Sequence, residues 1–159
     1  MKTKLILTGV AGFVAGVLLV GIIGISMAPG MMINENESIY SFEETVERIQ
    51  AEAIEAGWKV PAIHEINNSV ASGGFDVPPV TVIELCKVDL AGTILSESDS
   101  RVVSSMMPCR VSVYVDDDGN VIVSRMNTGL VSKLFGGDVA TTMAAATDDT
   151  ERILNSVLN

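Results

Sequence analysis

The chain has 159 residues, with 20 Asp and Glu against 10 Lys and Arg, for a formal net charge of −10. That length holds one domain with a core but not two plus a membrane segment. An acidic surface repels nucleic-acid phosphate and anionic lipid headgroups, so no nucleic-acid partner is expected, whereas a cationic protein partner is compatible with it.

Residues 5–27 carry no charge. At roughly 1.5 Å per residue, a helix over that run is about 34 Å long, enough for a ~30 Å hydrocarbon layer. Residues 1–29 are therefore expected to be an uncleaved, single-pass transmembrane anchor that meets membrane lipid through residues 5–27. The competing reading is a removable signal and an exported soluble protein, because Ser26-Met27-Ala28 is a small-x-small site. Against cleavage, the run exceeds the about 7–15 residues of a signal core, and Pro29 follows the cut directly. Lys2 and Lys4 precede the run and only acids, Glu35 and Glu37, follow it closely. The positive-inside rule then puts the amino end in the cytoplasm and the carboxy-terminal domain outside. Gly12-x-x-x-Gly16, with Ala11 and Ala15 beside it, offers a stripe where a second helix can approach, one route to a homodimer.

Pro29-Gly30 predicts the end of this helix, residues 30–37 a polar linker, and residues 38–159 the folded domain. Ser41-Phe42-Glu43-Glu44 has the form of a capping box. Phe42, Val46, Ile49, Ala53 and Ala56 then share one helical face, and Gly57 closes it. Residues 58–66 are expected as a strand, with Pro61 marking an edge or a bulge, and residues 67–79 as a loop. The β-branched run over 80–85 predicts a strand, residues 89–95 a short helix, and the stretch through 105 a polar connection. From 109 to 115, Cys109, Val111, Val113 and Val115 alternate with Arg110, Ser112 and Tyr114. Asp116-Asp117-Asp118-Gly119-Asn120 turns the chain, and residues 121–123 return it as a hairpin. Residues 130–135 predict an apolar turn, and Asp138 a cap for a final helix that buries Val139, Met143, Ala146, Ile153 and Val157. The order calls for an α+β fold, a small antiparallel sheet with helices packed on one face, β-α-β-β-(α)-β-β-α, after one transmembrane helix.

No catalytic constellation is present. Cys86, Cys109 and the single His64, with Met106 and Met107 nearby, form a soft N/S set suited to copper(I) or haem iron, though no such cofactor is required by the sequence. Nothing has the spacing C-x-x-C, C-x-x-C-H or H-x-x-x-H. Three readings of Cys86 and Cys109 stay open: two partly buried small side chains, a disulfide between them, or a thiol pair that holds a metal, haem or small ligand. A binding module is the leading expectation. The alternatives are a thiol-dependent redox or hydrolytic enzyme built on a Cys-His pair, and an assembly protein that meets its partner through the acidic surface. The Asp116 run is not a calcium loop of the helix-loop-helix type, since position 12 would fall on Asn127. Asn36 and Asn67 head Asn-x-Ser sequons.

Several pieces together resemble the DUF302 family, a domain of unknown function. They are Ser41-Phe42-Glu43-Glu44-Thr45, Gly57-Trp58-Lys59-Val60, His64-Glu65-Ile66, Ile83-Glu84-Leu85-Cys86-Lys87 and Met107-Pro108-Cys109-Arg110-Val111, in that order over residues 38–158. The family pattern often has Asn-Pro after the first cysteine, where this chain has Lys87-Val88. The resemblance implies a sheet with two helices, similar to the TATA-binding-protein-like arrangement, and often a dimer. It implies no activity, and the DNA binding of that fold's namesake does not follow from the fold.

Overall fold

The structure, a computed structural model, describes residues 2–158, with the side chains of residues 2–8, 10, 11 and 29 outside the description. It divides into two compact units, Met1–Met32 and Ile33–Asn159. The first is one helix, α1 (Lys2–Met32). It continues through Pro29 and Gly30, where the sequence predicts an end; a proline removes one amide donor but does not by itself stop a helix. Among the described residues, no helix is long and apolar enough to cross a membrane. Several side chains of the uncharged run over 5–27 lie outside the described residues. Those described, such as Phe13 at 73% and Ile25 at 77%, are exposed.

The second unit starts directly after α1 with β1 (Ile33–Glu37), so the expected linker over 30–37 is corrected to the last residues of α1 and a strand. Apart from Ile33 its sequence lacks the β-branched residues of a typical strand, and its side chains add bonds to the backbone ladder with β5. Glu35 accepts from the Tyr114 hydroxyl at 2.9 Å, and Asn36 Oδ1 accepts from Arg125 Nη1 at 2.6 Å. A polar strand also suits a sheet edge, where it discourages further pairing.

Helix α2 (Phe42–Glu55) begins as predicted, with Ser41 Oγ accepting from the Glu44 amide at 3.3 Å. The reciprocal half of the box is replaced, because the Glu44 carboxylate pairs with Arg48 at 2.8 Å one turn on. Gly57 follows at φ +75°, a left-handed conformation that glycine adopts without strain. The strand expected over 58–66 shrinks to β2 (Ile63–Glu65), preceded by an isolated bridge between Lys59 and Cys86. Pro61 has no amide to donate, so a longer ladder breaks there. The expected loop over 67–79 opens with a short helix, α3 (Ile66–Ala71), none of whose residues is buried.

The chain continues through β3 (Val80–Leu85), α4 (Val88–Ser96) and a 3₁₀ helix (Asp99–Met106) in place of the polar connection. A hairpin of β4 (Cys109–Val115) and β5 (Val121–Met126) follows. In its turn Asp116 Oδ1 accepts from the amides of Asp118 and Asn120 at 3.0 and 2.8 Å. Bonds from Asn120 hold the Asp116 carboxyl below the usual carboxylate range. Helix α5 (Thr128–Ser132) occupies the predicted apolar turn, and α6 (Gly137–Leu154) ends the fold. The cap of α6 is Gly136 rather than Asp138, with no side-chain bond to the first turn. Asp138 sits inside that turn, where its charge complements the helix dipole.

The strands form one five-stranded sheet in the order β1-β5-β4-β3-β2, and every neighbouring pair is antiparallel. Ile83, Leu85, Val111, Val113 and Val123 are fully buried on one face, packed with Ile49 and Ala53 of α2 and with Ile153 and Leu154 of α6. The α+β reading with helices on one face therefore holds. A satellite core of Ile94, Val103, Val139 and Met143 joins α4, the 3₁₀ helix and α6.

Candidate functional site

The two cores leave a gap between them where the sheet runs out. Leu85, the last residue of β3, faces Cys109, the first of β4, across the ladder. Period-two alternation then puts Cys109 on the buried face with Val111 and Val113. Cys86 follows β3, and its backbone is tied to Lys59 by two bonds of 2.9 Å. Both cysteines border one apolar cavity of about 50 Å³, together with Met106, Met107 and Met143. Leu90, Ala91 and Ile94 of α4 form another side of its wall. Space of that size admits roughly three to five water-sized groups, far short of a porphyrin, so haem does not fit.

Both cysteines are free thiols in this structure. Burial pushes the Cys109 thiol above its ordinary value, and a charge on the neighbouring Cys86 pushes it the same way. Cys109 is thus a neutral thiol near pH 7, the opposite of an activated nucleophile. The linkage has a definite sign. Below the ordinary thiol value, near about 8.5, both folded and unfolded chains keep this proton. Above it the unfolded chain releases the proton first, so stability falls with rising pH until the raised folded value is passed. Urea titrations at stepped pH are expected to show that decline, and Cys109→Val to remove its lower part. The phenol of Tyr114, also raised by burial and by its bond to Glu35, leaves the higher-pH part in place. A stability that rises over the thiol range would contradict this assignment.

His64 does not join the cysteines. Its partner across the ladder is Val82, on the outer face of the sheet, whereas Cys109 lies opposite Leu85 on the inner face. There His64 Nε2 lies 3.2 Å from Glu84 Oε1, which Arg110 approaches at 3.6 Å. The soft set expected from sequence is corrected on this point, and the Cys-His pair of the hydrolytic alternative is not assembled. Among the described residues, no group of three or more His, Cys, Asp and Glu is placed to hold a metal ion.

Two contributors were not singled out as site residues in the sequence. Met143 belongs to the buried stripe of α6 and reaches the cavity from there. Trp58, the only tryptophan, is 4% exposed and forms part of the wall, and its indole Nε1 has no hydrogen-bond partner. Lys87, where the family pattern has Asn, donates from Nζ to the Ala56 carbonyl at 2.6 Å and so caps the carboxy end of α2. A second, wider concavity of about 380 Å³ adjoins Ser112, Ser124, Arg125 and Thr147. Its buried Arg125 is already engaged by Glu151 and Asn36, which also gives the Asn36 sequon a structural use.

The fold and this site define a small α+β domain with a sulfur-lined cavity at the end of its sheet. A family model described as "Domain of unknown function DUF302" matches residues 34–158, and the chain belongs to that family. The structure is similar to the crystal structure of an uncharacterized conserved protein DUF302 from Bacillus stearothermophilus, with a TM-score of 0.70 and 18% sequence identity. The likeness covers 79% of this chain and 97% of that one, and at this identity it shows the fold alone. No curated protein matches the chain.

Proposed function

We propose that this protein is a membrane-tethered binding module whose cavity takes a small ligand beside Cys86 and Cys109. One observation carries the reading: two thiols and three thioethers border the same apolar cavity between the two cores. Xenon is a suitable probe, since apolar cavities stay dry and accept it. Under xenon pressure, the methyl resonances of Leu90, Ile94 and Met143 in the full chain are expected to shift and saturate. Ala91→Leu, which extends a side chain into the cavity, is expected to abolish the response. Methyls that ignore xenon, or that respond equally in Ala91→Leu, would contradict the reading.

The sulfur-rich wall favours one second reading, a copper(I) site of two thiolates and a thioether. Anaerobic titration against a copper(I) chelator is then expected to give one ion per chain, lost in Cys109→Ser. Unchanged affinity in that variant would dismiss the copper site. An enzymatic role has less support, because the Cys109 thiol is pushed up by burial and His64 lies across the sheet from it.

The tether rests on the uncharged run over 5–27, the flanking Lys2 and Lys4, and the helical conformation of Lys2–Met32. A helix of those residues is more stable among lipid tails than in water. Carbonate-washed membranes are expected to retain the chain at its full mass, with residues 33–159 open to protease from outside the cell. Release by carbonate, or a chain starting near residue 29, would favour the exported soluble form instead. The Gly12-x-x-x-Gly16 stripe supports pairing of two copies, and the acidic body supports a cationic partner.

A further inference from the structure

We infer that the ligand of this cavity is a compact, largely apolar molecule with one hydrogen-bond acceptor, which it presents to the indole Nε1–H of Trp58. The inference rests on the cavity being a binding site and narrows what that site takes. Trp58 is 4% exposed, and its Nε1 is the only buried side-chain nitrogen or oxygen without a partner among the described residues. Buried tryptophan N–H groups normally find an acceptor, and an indole nitrogen can only donate. Such an orphan in a native fold calls for a missing partner.

The rest of the wall does not provide one. Its thioethers are weak acceptors, the Thr128 hydroxyl already shares a bond of 2.7 Å with Thr147, and the Thr142 hydroxyl, also in the wall, makes no bond to the indole. The complement of an unpaired donor in an apolar wall is an acceptor on a mostly apolar body. A cation instead meets the positive end of the N–H dipole. Size narrows the class again: about 50 Å³ is roughly a third of an apolar cavity that holds benzene. A small ketone, sulfoxide, nitrile or amide fits that description. Trp58 Nε1 is closed to solvent, so an acceptor reaches it only where the wall yields, and Met106 and Met143 are the most flexible side chains of that wall.

Because Trp58 is the single tryptophan, its indole N–H gives one proton–nitrogen resonance in the full chain. Acetone and isobutene are the probes, nearly the same shape but with and without a carbonyl oxygen. Acetone is expected to move the indole proton downfield in a saturable way, and isobutene to shift the cavity methyls without that downfield move. In Trp58→Phe, which alters the wall for both probes alike, acetone affinity is expected to fall about tenfold relative to isobutene affinity. Should that variant fail to fold, the indole shift of the unmodified chain decides alone. If acetone shifts the cavity methyls while the indole stays still, the inference fails and the binding module stands. An indole proton that keeps its contact with a bound water at saturating acetone also overturns it, the partner then being an ordered water only. Methyls that respond to neither probe, nor to xenon, overturn the binding module as well.

Discussion

Arg125→Met is expected to lower the unfolding free energy by about 2–4 kcal/mol, a large part of the roughly 5–15 kcal/mol that holds a domain together. Arg125 is 8% exposed, and each of its three guanidinium nitrogens donates a bond. Nε and Nη2 donate to the two oxygens of Glu151 at 2.9 and 2.5 Å, and Nη1 donates to Asn36 Oδ1 at 2.6 Å. One side chain on β5 thus ties α6 and the edge strand β1 to the sheet. Methionine keeps most of the apolar stem but leaves the Glu151 carboxylate and the Asn36 amide without their partner. The figure lies below that for a wholly buried pair because the Glu151 side chain is 33% exposed and water relieves part of the loss. Two signatures separate this account from a general loss of packing. The amides of β1 are expected to exchange faster than those of β3 and β4, and Arg125→Met combined with Glu151→Met is expected to cost less than the sum of the single changes. Strict additivity in urea denaturation would mean that the pair is not coupled.

Leu85→Ala is expected to cost about 2–5 kcal/mol, toward the upper end of that range. Leu85 is fully buried, closes the main core against Cys109, and also borders the apolar cavity. Cutting its isobutyl side chain back to a methyl joins new space to space already present, so neighbouring side chains have less to collapse against, and the penalty grows with the void that remains. The same change has a functional signature. The enlarged cavity is expected to accept benzene, which the unmodified chain excludes, and to make the Cys109 thiol react faster. A cost below about 1 kcal/mol with no change in guest size would place Leu85 away from the cavity wall.

What the sequence disclosed follows from where its patterns are periodic. The four-and-three spacing through Phe42, Val46, Ile49 and Ala53, and the alternation from Cys109 to Val115, each reflect one face pressed against a core, and both elements appear as predicted. β1 looks like a linker in the sequence because its pairing is encoded in distant residues. The ladder with β5, reinforced by side-chain bonds from Arg125 and Tyr114, makes Ile33-Asn34-Glu35-Asn36-Glu37 a strand, and nothing local announces these partners. The strand expected from Trp58 onward shortened because Trp58 packs as a core residue and Pro61 interrupts the ladder. The site was half legible for a related reason. Residue type singled out Cys86 and Cys109, and the cavity brings them together. His64 was grouped with them on chemistry alone, and the strand register carries it to the other face. Trp58 has no role that the sequence announces, since an unpaired indole N–H exists only once the surrounding walls are built.

The convergence of the two thiols is the claim on which the rest stands, and mercury(II) reads it directly because one ion bridges two thiolates that share a small space. Titrating the reduced full chain anaerobically and recording its intact mass is expected to give a single adduct at one mercury per chain, with both Cys86 and Cys109 consumed. Two mercury ions per chain, or one bound ion with a thiol still open to alkylation, would show that the cysteines face separate surroundings and that the cavity described above is not a shared site.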